Sequence, residues 1–159
     1  MKVAKLSLVL MVLVLGFSSE SINAQEGLIG AIKQKRFAGG CILRSHGNEQ
    51  IAEDSILFSL NDDGRTAIMN IAGKDVILRL VKDLEKEKNK RYVWIFEEQT
   101  YQSSRTARRK NKRASETAKV TIYLTVISTE EEQTTYDAVI EATRGNRSET
   151  VKAKGGCFD

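Results

Sequence analysis

The sequence predicts an all-β domain: an antiparallel β-sandwich or small barrel of about eight strands, held by one disulfide. Three observations carry that expectation. Beyond residue 40, apolar residues alternate with polar ones at the period of two that a strand with one buried face requires. Short clusters of Gly, Asn and Asp separate these runs, as hairpin turns would. Apart from the weak candidate Gln25 to Lys35, nothing after the leader shows helical periodicity, so parallel crossovers are not expected.

Lys2 and Lys5 precede an apolar stretch from Leu6 to Phe17, interrupted only by Ser7 and Gly16. At about a dozen residues it matches a signal-peptide core and falls short of the roughly 20 apolar residues of a spanning helix. Polar residues then lead to Ala24, a small residue suited to cleavage before Gln25. Residues 1–24 are expected to be a cleaved signal peptide, residues 25–36 a lead-in, and residues 37–159 the β domain. Cys41 lies too far from the apolar core to be a lipid-modified N-terminal cysteine. Cleavage leaves 135 of 159 residues, a usual length for one domain with one core.

The first strand is expected at Cys41 to Ser45 and the second at Ile56 to Leu60. Asn61-Asp62-Asp63-Gly64 follows as a hairpin turn. Ala67, Met69 and Ile71 then share one side of a strand with Asn70 between them. Ala72-Gly73-Lys74-Asp75 reads as another turn, after which Val76, Leu78 and Leu80 alternate with Ile77, Arg79 and Val81. Residues 82–91, KDLEKEKNKR, read as a solvated loop or one helical turn. Tyr92, Trp94 and Phe96 share a face and are expected to anchor the core, the alternative being a ligand-stacking platform. Residues 100–117 have no apolar periodicity and read as a long basic loop. Val120, Ile122, Leu124 and Val126 alternate with polar partners. An acidic turn over Thr129 to Thr134, a strand carrying Tyr136, Ala138, Ile140 and Ala142, and a turn at Arg144-Gly145-Asn146 follow. The last strand carries Glu149, Val151 and Ala153. The chain has no proline, so glycine and short polar residues must make every turn.

Two cysteines, Cys41 and Cys157, lie one near each end of the domain. In an exported protein an even pair most simply forms one disulfide, joining the first strand to the C-terminus. With only His46 to add, the ligands are too few for a closed zinc site.

From Cys41 to Cys157 the chain resembles a family of uncharacterised bacterial exported domains. The resemblance rests on Gly40-Cys41, on the run Met69-Asn70-Ile71-Ala72-Gly73-Lys74-Asp75-Val76, and on Thr150-Val151-Lys152-Ala153-Lys154-Gly155 before Cys157. It implies an all-β fold and a bacterial, extracytoplasmic setting, and assigns no activity. Members of that family often double the cysteines at both ends and add a pair in a late hairpin. Here Ile42, Leu43 and Thr129 to Thr134 contain none, which leaves one possible disulfide.

Chemistry-bearing groups are sparse. His46, the only histidine, sits at a loop start and reads as a surface residue. No G-x-S-x-G elbow is present. Asn61 to Gly64 lacks the spacing and closing Glu of a calcium loop. Asn70, Lys74 and Asp75 could line a site; the favoured reading has Asn70 facing solvent and Lys74 and Asp75 shaping a turn. Asn146-Arg147-Ser148 fits a glycosylation pattern by chance. No cofactor and no metal are expected, and the chain does not read as an enzyme.

The net charge is +4, and it becomes +3 once Lys2, Lys5 and Glu20 leave with the leader. Arg105, Arg108, Arg109, Lys110, Lys112 and Arg113 fall within nine residues with no acid among them, and the rest of the mature chain is near −3. Such a run attracts phosphate, sulfate or acidic polysaccharide. It has no interleaved aromatics for base stacking. The leading expectation is a periplasmic or secreted, non-enzymatic binding or envelope-associated domain. Alternatives are a polyanion binder using residues 105–113, whose partner would be an anionic envelope polymer or lipid, and an inhibitor of a secreted enzyme. Export excludes intracellular nucleic acid as a partner.

Overall fold

Runs of alternating apolar residues become strands in the computed structural model, which describes residues 27–34, 40–86, 91–99 and 117–158. In chain order these are β1 (Ile29–Gly30), β2 (Cys41–Ser45), β3 (Ile56–Leu60), β4 (Thr66–Ile71) and β5 (Lys74–Lys86). They continue as β6 (Arg91–Glu98), β7 (Lys119–Thr129), β8 (Gln133–Arg144) and β9 (Arg147–Phe158). Each of β2 to β9 pairs antiparallel with the next, and β9 pairs back onto β2. The result is a closed up-and-down barrel of eight strands, with β1 added alongside β4. Of the two all-β architectures compatible with the sequence, the barrel is the one formed. Full closure leaves none of its eight strands with an unpaired edge.

The Cys41–Cys157 disulfide sits on the closing seam. The two cysteines are direct cross-strand partners of β2 and β9, so the bond clips the first barrel strand to the last. A disulfide is compatible with an oxidising, extracytoplasmic location.

Alternation places one side of every strand inside. Leu43, Phe58, Met69, Phe96, Ile122 and Ile140 are fully buried there. Outward positions such as Lys119, Thr125, Lys152 and Lys154 are exposed. Large apolar side chains, Ile77, Tyr123 and Val139 among them, are exposed on the outer face as well. Among the described residues no helix is long and apolar enough to cross a membrane.

Three sequence expectations need correction. Residues 82–86 are neither loop nor helical turn: they extend β5 to 13 residues, and Arg91 opens β6. Their charge pattern hides a β-bulge at Val81, where the pairing shifts from Leu80↔Phe96 to Lys82↔Ile95. The helix considered over Gln25 to Lys35 is absent from its described part, where Ile29 and Gly30 instead pair with Ile71 and Asn70. Asn70 does not face solvent but is 1% exposed. It lies under β1, so close that a side chain on Gly30 would meet its Oδ1 at 2.9 Å.

The barrel's two ends differ. One end is plugged: Leu28 and Ile29 are each 2% exposed, the Leu28 carbonyl accepts from Ala72 N at 2.7 Å, and Ile29 N donates to Glu149 Oε2 at 2.8 Å. Beside them Arg144 pairs with Glu98, which also accepts from Ala118 N. The signal peptide expected at 1–24 and the basic residues 105–113 lie outside the described residues. Gln99 and Thr117, which flank the basic stretch, both belong to this plugged end.

Candidate functional site: the open end of the barrel

The other end is open. It gathers the start of β2, the end of β3, the far half of β5, the start of β6, the start of β8 and the end of β9. Between them lies a cavity of about 690 Å³, within the range of about 300–1,000 Å³ that suits a small molecule. An eight-stranded barrel has an interior wide enough for packed side chains or for one small ligand. Here packing fills the deeper part and stops short of the mouth.

The floor is aromatic. Phe96 of β6 meets Phe58 of β3 edge to face, with ring centroids 5.2 Å apart and an interplanar angle of 64°. Above it, Trp94 occupies the next inward position of β6, two residues nearer the rim, and is only half-buried. Across β7, Tyr92 and Tyr136 stack edge to face at 6.2 Å and 88°. Leu60 and Leu80 complete an apolar wall, and the Cys41–Cys157 bridge borders the opening. The sequence reading of Tyr92, Trp94 and Phe96 as one face holds. Phe96 alone is fully buried, while Tyr92 and Trp94 pack against the core and keep part of their surface free.

Asp83 is the lining residue that sequence reading missed. Up to Leu80 the even-numbered residues of β5 face inward. The bulge at Val81 reverses that parity, so Asp83 becomes the cross-strand partner of Trp94 and lines the cavity. Lys82 is aligned with Ile95 on the outer side. A bulge re-aims a side chain in this way by placing one extra residue on its strand. A second bulge, at Ile127 between β7 and β8, also lies near this rim. Val81 and Ile127 are 58% and 53% exposed.

The hairpin turn expected at Asn61 to Gly64 forms the near lip of the mouth. Asp63 accepts from Arg65 N at 2.8 Å, Thr66 N at 2.8 Å and Thr66 Oγ1 at 2.7 Å. These bonds, the Arg65 amide first and the Thr66 hydroxyl next, hold its carboxyl below the ordinary value. Gly64 has φ +64°, which an L side chain adopts only with strain. Asp62 faces the cavity.

The other sequence-singled residues lie elsewhere. His46 is exposed on the β2–β3 loop, as expected, and its Nδ1 lies 2.7 Å from Glu53 Oε1. Glu53 also accepts from Gly47 N at 2.9 Å, and that amide, ahead of His46, holds its carboxyl below the ordinary value. A carboxylate is thus in reach of the histidine, but no hydroxyl or thiol among the described residues is bonded to it. Asn70 Nδ2 donates to Asp75 Oδ1 at 2.7 Å, and Asp75 accepts from the amides of Lys33 and Gln34 at 3.0 and 2.8 Å. That polar cluster ties the lead-in across β4 and β5, which is a structural task. A second depression, of about 370 Å³, lies on the outer face over Gly155 and Gly156. The β2 backbone at Ile42 and the Gln133 side chain crowd those two glycines, so the trough follows from the seam's close approach. Among the described residues no three His, Cys, Asp or Glu side chains gather as metal ligands would.

The chain matches no protein-family model, no curated protein and no solved structure.

Proposed function

We propose that this chain is an exported, non-enzymatic binding protein that holds one small, largely apolar molecule in the open end of its barrel. The observation that carries the reading is the cavity itself, about 690 Å³, with Trp94, Phe96 and Tyr136 around an interior whose other end is plugged. Burying a side chain as large as Trp94 would be favourable, and its partial exposure at the rim leaves apolar surface for a ligand to cover. The leader expected at residues 1–24 and the seam disulfide both suit a protein that works outside the cytoplasm.

Trp94 is the only tryptophan, so the cavity carries its own reporter. Titration of the folded protein with the neutral dye N-phenylnaphthylamine is expected to show saturable binding at one dye per chain, with quenching of Trp94 emission. Leu80→Arg, which places a cation in the wall, is expected to weaken binding at least tenfold while the far-ultraviolet dichroism stays unchanged. Absence of saturable binding by the native protein would overturn the reading.

A further inference from the structure

We infer that the mouth selects a ligand with a positively charged group on an apolar body: an alkyl or aryl amine, or a quaternary ammonium. This rests on the cavity reading above and adds the sign of the charge. Two carboxylates, Asp62 on the β3–β4 turn and Asp83 on β5, line the cavity, and no Lys, Arg or His is among its described lining residues. Asp83 has Trp94 as its cross-strand partner on the inner face. Directly opposite residues on one face stand about 4.5–5.5 Å apart at Cβ. A cation seated beside them would have within reach both a carboxylate and an indole, the strongest aromatic partner for a cation.

The charge at this position depends on one backbone irregularity. With regular alternation, Val76, Leu78 and Leu80 would be followed inside by Lys82, and the mouth would present an ammonium. The extra residue at Val81 puts Lys82 on the outer side and Asp83 within. Nothing in the packing of the core requires that exchange, because both residues are exposed. Its consequence is electrostatic: an anionic ligand would face Asp62 and Asp83 with no counter-charge among the described lining residues, whereas a cation gains both.

The test uses three probes with the same chain, octyltrimethylammonium, octanol and octanoate, each displacing N-phenylnaphthylamine from the full mature protein at neutral pH and low salt. The cation is expected to bind about tenfold more tightly than the carboxylate, with the alcohol between, and added salt to narrow the gap. Asp83→Asn is expected to remove most of the difference between cation and alcohol and to leave octanol unchanged. Asp83→Lys is expected to reverse the order. Equal affinity for cation and anion, or an undiminished gap in Asp83→Asn, would overturn the inference. So would failure of all three probes to displace a bound dye, an outcome in which the cavity reading survives. If the dye itself fails to bind, the cavity reading falls and takes this inference with it.

Discussion

Asp63 shows how much one short side chain can specify. Its carboxylate gathers two amides and a hydroxyl from Arg65 and Thr66 and turns β3 into β4 at the lip of the mouth. Because those donors prefer the ionised form, the folded protein releases this proton more readily than the unfolded chain does. The resulting stability is present above the ordinary carboxylate range and is lost as the pH falls through the depressed value. Asp63→Ala is therefore expected to lower the Tm at neutral pH, and its difference from the parent protein should vanish in acid. A difference that is constant from neutral to acid pH would count against this account. Other residues were harder to place from sequence. Asn70 sits in an alternating run between two buried apolar residues, where a polar side chain ordinarily meets solvent. It is buried because β1, distant in sequence, covers it, and its Nδ2 then needs Asp75 as an acceptor. No local pattern could announce that contact.

At the scale of elements, alternation and turn chemistry specified most strands. The runs at Cys41 to Ser45 and Ile56 to Leu60 match β2 and β3, and the turns at Asn61 to Gly64 and Arg144 to Asn146 fall where expected. Alternation fails where a bulge interrupts it. Beyond Val81 the inward positions of β5 change parity and Asp83 turns toward the cavity, so a charged run that reads as solvated loop is paired with β6 as far as Lys86. Exposed strand near an open rim needs no apolar face, and its hydrogen bonds to β6 hold it extended. The glycines of β9 carry a different constraint. Gly155 lies against the β2 backbone so closely that an added Cβ would overlap the Ile42 carbonyl. Gly155→Ala is expected to push β2 and β9 apart and cost about 1–3 kcal/mol, as overpacking does. Urea denaturation measures the loss, and amide exchange should place the loosened hydrogen bonds on these two strands. A variant as stable as the parent would show that the seam can relax.

For the whole molecule, the decisive event is closure. Seven successive antiparallel pairings build a sheet, and only the pairing of β2 with β9 makes it a barrel. That pairing joins strands whose cysteines are 116 residues apart in sequence, so it bears a large loop-closure cost that the disulfide removes from folding. In the chain-entropy account, a crosslink of that span is worth about 4–5 kcal/mol. The double substitution Cys41→Ser with Cys157→Ser is expected to lower stability by a comparable amount and to raise exchange along β2 and β9 before the β7–β8 hairpin. Because the bridge borders the cavity, the same variant should bind the neutral dye more weakly. Unchanged stability after loss of both cysteines would show that strand pairing alone holds the seam.

The sequence by itself determined the all-β class, the hairpin order, the inward face of most strands and the cysteine pair. Each of these is written locally, in alternation and turn residues, or follows from there being only two cysteines. Tertiary structure alone decided that the sheet closes, that residues 28 and 29 plug one end, and that the other end remains open beside Trp94. It also decided that Asp83, not Lys82, lines that opening. The physical reason is common to all of these. Closure, plugging and the register beyond a bulge depend on which distant backbone supplies the next hydrogen bond, and a pattern of period two carries no record of that partner.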